Sequence, residues 1–225
     1  APGYELFRAI QDALGDGLPI IAEDLGIITP EVDALRKAFH FPGMKVLQFA
    51  FDSLGESSYL PHRFTTVDCV CYTGTHDNDT SLGWYRTLDP KCQRKVRLYT
   101  NSTDALKPGW ALIRSALSSI AAYAVFPLQD VLGYGSDARM NTPGSASGNW
   151  DWRFTGGALR DELAEALKEI TVLYGRHVLR DTPEDTSDEP QEEALPAKGS
   201  LTGEETPVNE NSPAKDNSRT GGIGR

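Results

Sequence analysis

The sequence has few cysteines, no long apolar run and no excess of basic residues, and each shortage excludes a class of protein. The three cysteines, Cys69, Cys71 and Cys92, are an odd number without a regular spacing. They can build neither a disulfide framework nor a four-ligand zinc site, and the alternating Cys69 and Cys71 are expected to be small core residues of a strand. No stretch reaches the ~20 consecutive apolar residues of a membrane span. We therefore expect a soluble, cytoplasmic protein.

The acidic charge is concentrated towards the C-terminus. The net charge of the 225 residues is −10, and residues 181–225 hold 11 acidic and 4 basic side chains. That segment is rich in Pro, Ser, Thr, Glu and Asn but has almost no large apolar residue to bury, which predicts a disordered acidic tail without a catalytic role. Residues 1–180 are close to neutral and lack the basic field that nucleic acids select. We expect them to hold the fold.

Apolar runs alternate with amphipathic ones along residues 1–180. The runs predict strands at 18–22, 44–51, 68–73 and 123–128, and the periodicity predicts helices at 4–14, 30–39, about 90–99, 109–121 and 157–174. This order indicates an α/β fold with a parallel sheet covered by helices, as in barrels and doubly wound sheets. Four strands would make half a barrel. The helical pattern starts almost at Ala1 with no leader before it, so we expect the chain to begin inside a longer protein.

Polar residues follow the first and third predicted strands. Glu23 and Asp24 come after the first, and His76, Asp77 and Asp79 come after the third. Active sites of parallel α/β folds lie at the carboxyl ends of the strands, so these clusters are expected to meet at one cleft. Glu23 and Asp77 are 54 positions apart, about the length of two βα units.

Two facing carboxyl groups suit glycosidic bond chemistry. One is held protonated to donate to the leaving oxygen, and another stays ionised. Glu23 is the better acid candidate, because an apolar strand end and the neighbouring Asp24 both favour its neutral form. Acidic residues at strand ends are also common helix caps, so spacing alone leaves the structural alternative open.

Other motifs give little support for metal or cofactor binding. The DNDT run at 77–80 lacks the glycine and the terminal glutamate of a calcium loop. We expect no metal and no cofactor. None of the four tryptophans stands at a strand end, so all are expected in the core: Trp84, Trp110, Trp150 and Trp152.

Three long motifs, in order, carry a more specific signal. They are IIAEDLGIITPEVDALRKAFHFPGMKVLQFAFD from residue 20, YTGTHDNDTSLGWY from residue 72, and PLQDVLGYGSDARMNTPGSASGNWDWR from residue 127. Over about residues 2 to 175 the chain closely resembles the 4-α-glucanotransferases, the amylomaltase or disproportionating enzymes of glycoside hydrolase family 77. The resemblance implies the C-terminal half, about strands 5 to 8, of a TIM (β/α)₈ barrel.

The resemblance also implies roles for individual residues. Glu23 matches the family's general acid/base after strand 5, and Asp77 matches its transition-state-stabilising carboxylate after strand 7. His76 matches a donor to the reacting glucose, while Phe49 and Asn141 match residues that line sugar subsites. One departure is visible: where a pair of adjacent aspartates is expected, the chain has an aspartate followed by Ser53.

That departure leaves Asp52 as the one carboxylate of the pair to contact sugar. The family's nucleophilic aspartate belongs to a strand 4 motif that this chain lacks, so the chain alone is expected to be inactive and to need the N-terminal half of the same enzyme for a closed barrel. The expected reaction transfers segments of a malto-oligosaccharide or α-glucan to a 4-hydroxyl by a retaining mechanism, with no cofactor. The alternatives are an α-glucan hydrolase of the same clan and a non-catalytic glucan-binding remnant.

Overall fold

The computed structural model describes residues 2–52, 55–103 and 107–177. Its centre is a three-stranded parallel sheet in the order β1 (Gly43–Val46), β2 (Cys69–Tyr72) and β3 (Tyr123–Val125). Gly43 pairs with Cys69, and Val70 pairs with Tyr123. The three strands confirm the predicted runs at 44–51, 68–73 and 123–128, although each is shorter than its run.

Seven α-helices surround the sheet in the described residues. Five match predicted helices: α1 (Gly3–Leu14), α2 (Pro30–Ala38), α4 (Pro90–Thr100), α5 (Pro108–Leu117) and α7 (Asp161–Leu173). Two shorter ones were not predicted: α3 (Ser81–Thr87) and α6 (Leu128–Leu132). Single turns of 3₁₀ helix lie at Leu47–Ala50, Pro61–Arg63, Ser136–Ala138 and Gly156–Ala158. The fold is therefore α/β. The helices α3, α4 and α5 connect the parallel strands β2 and β3, as a parallel crossover usually does, whereas the described part of the connection from β1 to β2 carries two 3₁₀ turns.

The expected first strand at 18–22 is not formed. One backbone hydrogen bond joins it to the sheet, from the Ala22 amide to the Pro42 carbonyl at 2.9 Å. Pro19 has no amide to donate, and Ile21 is 48 % exposed. A segment with a single backbone hydrogen bond on one side does not form the repeated bonds of a β-ladder. The described residues supply no strand to pair with its other side.

The main core lies between the sheet and α3 to α5. Its members are buried side chains of strands and helices, among them Phe51, Cys71, Trp84, Val96 and Leu112. A second cluster, Ile113, Leu117, Val131 and Ile170, joins α5 to α6 and α7. The expectation that Cys69 and Cys71 are core residues is confirmed, since both are buried. Burial raises the pKa of the Cys71 thiol to about 12, so it stays protonated at neutral pH.

None of the helices in the described ranges is both long and apolar enough to cross a membrane. The acidic tail, residues 181–225, lies outside the described residues, so the division into a folded body and a tail stays a prediction.

Candidate active site

A cavity of about 440 Å³ opens where β2 and β3 end. Its walls come from the segment that follows β2, from the end of β3, from the loop after Ser136–Ala138 and from the segment before α2. Glu23, His76, Asp77, Arg139 and Trp150 are among the lining residues. The two carboxylates that the sequence pointed to therefore line one cavity, at the end of the sheet where parallel α/β folds hold their sites.

Asp77 is held by the loop that follows the 3₁₀ turn Ser136–Ala138. The Asp77 Oδ1 accepts a hydrogen bond from the side-chain nitrogen of Asn141 at 2.6 Å, and the His76 Nε2 lies 3.4 Å from the same oxygen. Asn141 also donates its backbone N–H to the His76 carbonyl at 3.1 Å. The structure thus brings together three of the residues that the sequence singled out, and leaves the Asp77 carboxylate half-exposed to the cavity.

Arg139 fixes these two loops to each other, and the sequence reasoning missed it. Its guanidinium donates to the Asp77 carbonyl at 2.7 Å and to the Asn141 carbonyl at 2.9 Å. A planar guanidinium presents several donors in a rigid fork and can bridge two backbone segments in one geometry. The signal was present in the ARMNTPG motif, two positions before Asn141.

The rest of the β2–α3 loop is tied down by its own side chains. The Asn78 side-chain oxygen accepts from the Thr75 amide and hydroxyl, both at 2.9 Å. Asp79 accepts from the Ser136 hydroxyl at 2.6 Å, and its carbonyl accepts from the Gln48 side chain at 2.9 Å. Asn78 and Asp79 also line the cavity, but their side-chain oxygens are held by these neighbours.

Asp130 anchors both ends of that loop from below. It is 2 % exposed and accepts from the Thr73 hydroxyl at 2.6 Å, from the Ser81 amide at 2.7 Å and from the Ser81 hydroxyl at 2.7 Å. Burial raises the pKa of Asp130 above its ordinary value, although the hydrogen bonds from Thr73 and Ser81 lower it. Because Thr73 follows β2 and Ser81 begins α3, one carboxyl group sets the span of the loop that carries Asp77.

Glu23 and Asp24 are placed in different surroundings. Asp24 accepts from the Met44 amide at 2.7 Å and pairs with Arg36 at 3.3 Å, so it joins β1 to α2. Glu23 is exposed at the cavity, and its carboxylate makes no hydrogen bond or ion pair with the rest of the described chain. Apolar side chains such as Leu25, Met44 and Phe126 share the cavity wall with Glu23, and its role as the acid stays a prediction.

Two other predicted site residues lie away from the cavity. Phe49 is 36 % exposed and packs edge-on against Tyr59, with ring centroids 5.6 Å apart. Asp52 is exposed and close enough to Cys92 on α4 to contribute to the raised pKa of that thiol, although Asp89 is the main cause. The structure does not bring either residue to Glu23 or Asp77, and their roles in sugar binding stay predictions.

The expectation that all four tryptophans are core residues is wrong for Trp150. Trp84 is buried, but Trp150 is 54 % exposed and lines the cavity. Its ring lies 5.1 Å from that of His76. The backbone of Trp150 has φ of +63°, a left-handed turn that carries the indole into the cavity and that strand periodicity cannot reveal.

No group of three or more metal-binding side chains is found within residues 2–52, 55–103 and 107–177. The DNDT run spreads its side chains among different protein partners, as described above. What the arrangement offers is a carboxylate beside an amide, an imidazole and an indole, with a second carboxylate on the same cavity. These groups can protonate a leaving oxygen, oppose a positive charge and bind hydroxyl groups.

Comparison with known proteins agrees with this chemistry. A sequence profile described as 4-alpha-glucanotransferase matches residues 1–159. The 4-alpha-glucanotransferase of Synechocystis is 55 % identical over 178 residues, which are 79 % of this chain and 35 % of the relative. The enzyme of that name from Thermus thermophilus is 49 % identical over 182 residues, covering 78 % of this chain and 36 % of the relative.

A solved structure shares the fold. The amylomaltase from Streptococcus agalactiae, in complex with acarbose, superposes with a TM-score of 0.75 at 36 % identity, over 79 % of this chain and 36 % of that chain. The described residues thus define an α/β protein of the amylomaltase type with a carboxylate-lined cavity at the strand ends. The chain belongs to the 4-alpha-glucanotransferase family. It spans about a third of the length of the curated relatives that it matches.

Proposed function

We propose that this chain supplies one side of the active site of a 4-α-glucanotransferase that cleaves an α-1,4 bond and passes the glycosyl group to another glucan's 4-hydroxyl. The observation that carries the proposal is the shared cavity of Glu23 and Asp77, with Asn141 and His76 held at the Asp77 carboxylate. The family membership and the acarbose complex of the Streptococcus agalactiae relative support an α-glucan as the substrate.

The three parallel strands and their helices are proposed to be part of a (β/α)₈ barrel, corresponding to about strands 5 to 8. The segment 18–22 would then complete its ladder against a strand of the N-terminal half of the same enzyme. An open parallel sheet leaves unpaired edges that closure removes. The partial match to each longer relative supports this arrangement.

Asp77 is proposed to stabilise the oxocarbenium-like transition state. The carboxylate reaches the cavity from a loop that is bonded at both ends, so little reorganisation is needed when positive charge develops. Asn141 keeps one Asp77 oxygen fixed at 2.6 Å and leaves the other open to the sugar. His76, beside the same carboxylate, is proposed to donate to a hydroxyl of the reacting glucose.

Glu23 is proposed to be the general acid and base. In the first step it would give its proton to the glycosidic oxygen as the bond to the anomeric carbon breaks, while a carboxylate nucleophile attacks that carbon. In the second step Glu23 would take the proton of the acceptor 4-hydroxyl as the covalent bond is replaced. Its carboxylate has no hydrogen bond or ion pair within residues 2–52, 55–103 and 107–177, which leaves it available for both transfers.

The nucleophile is proposed to come from the N-terminal half, on the strand 4 motif that this chain lacks. Phe49 and Asp52 are proposed to join sugar subsites once that half is present, with Asp52 as the one carboxylate there because Ser53 stands where a second aspartate is expected. A cytoplasmic location is proposed as well, although the Arabidopsis relative is named chloroplastic/amyloplastic. No metal or cofactor enters the proposed steps.

The test is a chimera in which residues 2–177 replace the segment that they match in the Synechocystis relative. It should disproportionate maltotriose, whereas the isolated 225-residue chain should not, because it lacks a nucleophile. A chimera that converts maltotriose to maltose and glucose without forming longer glucans, at a rate that added acceptor does not change, would favour the α-glucan hydrolase. A folded chimera that binds maltotriose without turnover would favour the glucan-binding remnant. Turnover by the isolated chain would place the nucleophile among its own carboxylates.

A further inference from the structure

Trp150 lines the cavity, as Tyr72 and Phe126 do, and the proposed chemistry gives it no role. Slightly more than half of it is exposed, at 54 %. One side of the indole faces the His76 imidazole, with ring centroids 5.1 Å apart and planes at 37°. Aromatic rings at this distance attract each other, and the attraction adds to the stability gained by burying their apolar surface.

The backbone holds Trp150 in an unfavourable conformation for a bulky residue. Its φ of +63° lies in the left-handed region that side chains rarely adopt. The Trp150 amide donates to the Met140 carbonyl at 2.7 Å, and the Arg153 guanidinium donates to the Trp150 carbonyl at 2.8 Å. Strain of this kind persists where the surroundings over-determine it and is common at functional sites.

The turn before Trp150 is closed by one side chain. The Asn149 side-chain oxygen accepts from the Thr142 amide at 2.9 Å, and its nitrogen donates to the Ser145 carbonyl at 3.0 Å. The position of the indole is therefore fixed by the same segment that supplies Asn141. Trp150 and Asn141, the partner of Asp77, are therefore held in one hydrogen-bonded segment.

His76 has little else to hold its ring. Its side chain is 55 % exposed, and its polar contact in the described residues is the one to the Asp77 Oδ1 at 3.4 Å. An exposed imidazole with one long contact can turn about two bonds, and ordering it costs side-chain entropy. The indole face removes that freedom on one side.

We propose that Trp150 is a positioning residue that holds the His76 imidazole beside Asp77, so that its nitrogen meets the reacting sugar in one orientation. The inference rests on the proposed function for the role of His76, but not for the packing of the two rings. Small displacements of a positioned group cost rate more than binding. Loss of Trp150 should therefore lower kcat with little change in KM.

The kinetic test uses the active chimera and a double-mutant cycle. Trp150→Ala should lower kcat on maltotriose by about 10- to 100-fold, and Trp150→Phe should recover most of it because a phenyl ring can still pack on the imidazole. In a His76→Ala background, Trp150→Ala should have almost no further effect, since no ring remains to be held. Equal factors in both backgrounds, or a change confined to KM, overturn the proposal.

A second measurement does not depend on activity. In the 225-residue chain with labelled histidine, the ring protons of His76 should shift when Trp150→Ala removes the ring current of the indole. The matched control is Trp152→Ala, whose ring contacts Tyr134 and Phe154 instead and should leave the His76 signals in place. Unmoved His76 signals in Trp150→Ala overturn this inference. A clear shift in the chain, together with a chimera that is inactive on glucans, would retain the ring packing and refute the proposed function.

Discussion

The two carboxylates of the cavity are supported very differently. Asp77 stands on a loop with both ends tied to the buried Asp130 and with Arg139 across it. Glu23 stands on a segment joined to the sheet by one backbone hydrogen bond, and its carboxylate has no hydrogen bond or ion pair within the described chain. The position of Asp77 is therefore fixed by hydrogen bonds within this chain. The Glu23 side depends on neighbours for its geometry, and the proposed barrel half would provide them.

The strongest test of this contrast is removal of the Asp77 charge. In the chimera, Asp77→Asn should lower kcat by roughly 10³- to 10⁴-fold, because a fixed charge that opposes the oxocarbenium-like centre in a closed site is lost at constant volume. Transfer is measured from maltotriose by product analysis. The matched control, Asp137→Asn, changes an exposed aspartate away from the cavity and should keep the parent rate. A loss below tenfold would mean that Asp77 does not face the reacting carbon.

Glu23 should give a smaller loss that depends on the leaving group. Glu23→Gln is expected to lower the rate on maltotriose by about 10²- to 10³-fold, because the proton for the leaving oxygen is gone. On a maltosyl fluoride donor, whose leaving group needs no proton, the first step should be nearly as fast as in the parent. Equal losses on both donors would assign Glu23 to structure, and the acid would have to be sought among other carboxyl groups of the cavity.

The strand–loop arrangement was within reach of the sequence, and the reasons are local. The CVCY run ahead of THDNDT predicted β2 and placed His76 and Asp77 at its carboxyl end, and the structure agrees. The run at 18–22 is also apolar, yet Pro19 and the lack of a second neighbour among the described residues leave it without a ladder. Whether an apolar run forms a strand depends on the neighbouring strands with which it can pair, and the composition of the run does not reveal them.

Other features depend on three-dimensional context alone. Asp130 lies within LQDVL, where an aspartate is ordinarily exposed, and its burial is explained by the hydroxyl and amide donors of Thr73 and Ser81. Trp150 enters the cavity because of one left-handed backbone angle. The edge-on packing of Phe49 against Tyr59 joins two residues ten positions apart. None of these has a periodic signal.

A substitution at Asp130 tests, with a smaller expected effect, whether this buried residue fixes the loop that carries Asp77. Asp130→Asn keeps an oxygen that can accept from Ser81, so kcat of the chimera should fall by only about tenfold, less than the ~10² cost of a 1 Å displacement. A larger effect on activity than that of Asp77→Asn would show that the anchor, rather than the cavity carboxylate, limits the reaction.

The same variant should change the pH dependence of stability. Because burial raises the folded-state pKa of Asp130 above its ordinary 3.8, its protonation favours the folded state. That contribution is complete below the ordinary pKa and is lost as the pH rises through the raised value. The free energy of unfolding of the 225-residue chain should therefore fall across this range, and in Asp130→Asn the fall should be shallower. Denaturant titrations at several pH values measure both curves, and parallel curves would contradict the raised pKa.

The smallest effect is expected at the C-terminal end. Removing residues 181–225 from the chain should leave its unfolding midpoint unchanged, and removing them from a chimera that carries them should change kcat by less than about twofold, because the segment has almost no apolar side chain to bury.

The residues just before this segment should behave differently. The Arg176 guanidinium donates to the carbonyls of Leu117, Ser119 and Ala121 at 2.6, 2.7 and 2.9 Å, which closes the end of α5. A hydrogen bond to a charged group contributes about 1.5–3 kcal/mol to stability. Arg176→Ala should therefore lower the free energy of unfolding by a few kcal/mol at most. A truncation after Arg180 that destabilises the chain as much as Arg176→Ala would show that the acidic segment contributes to the fold after all.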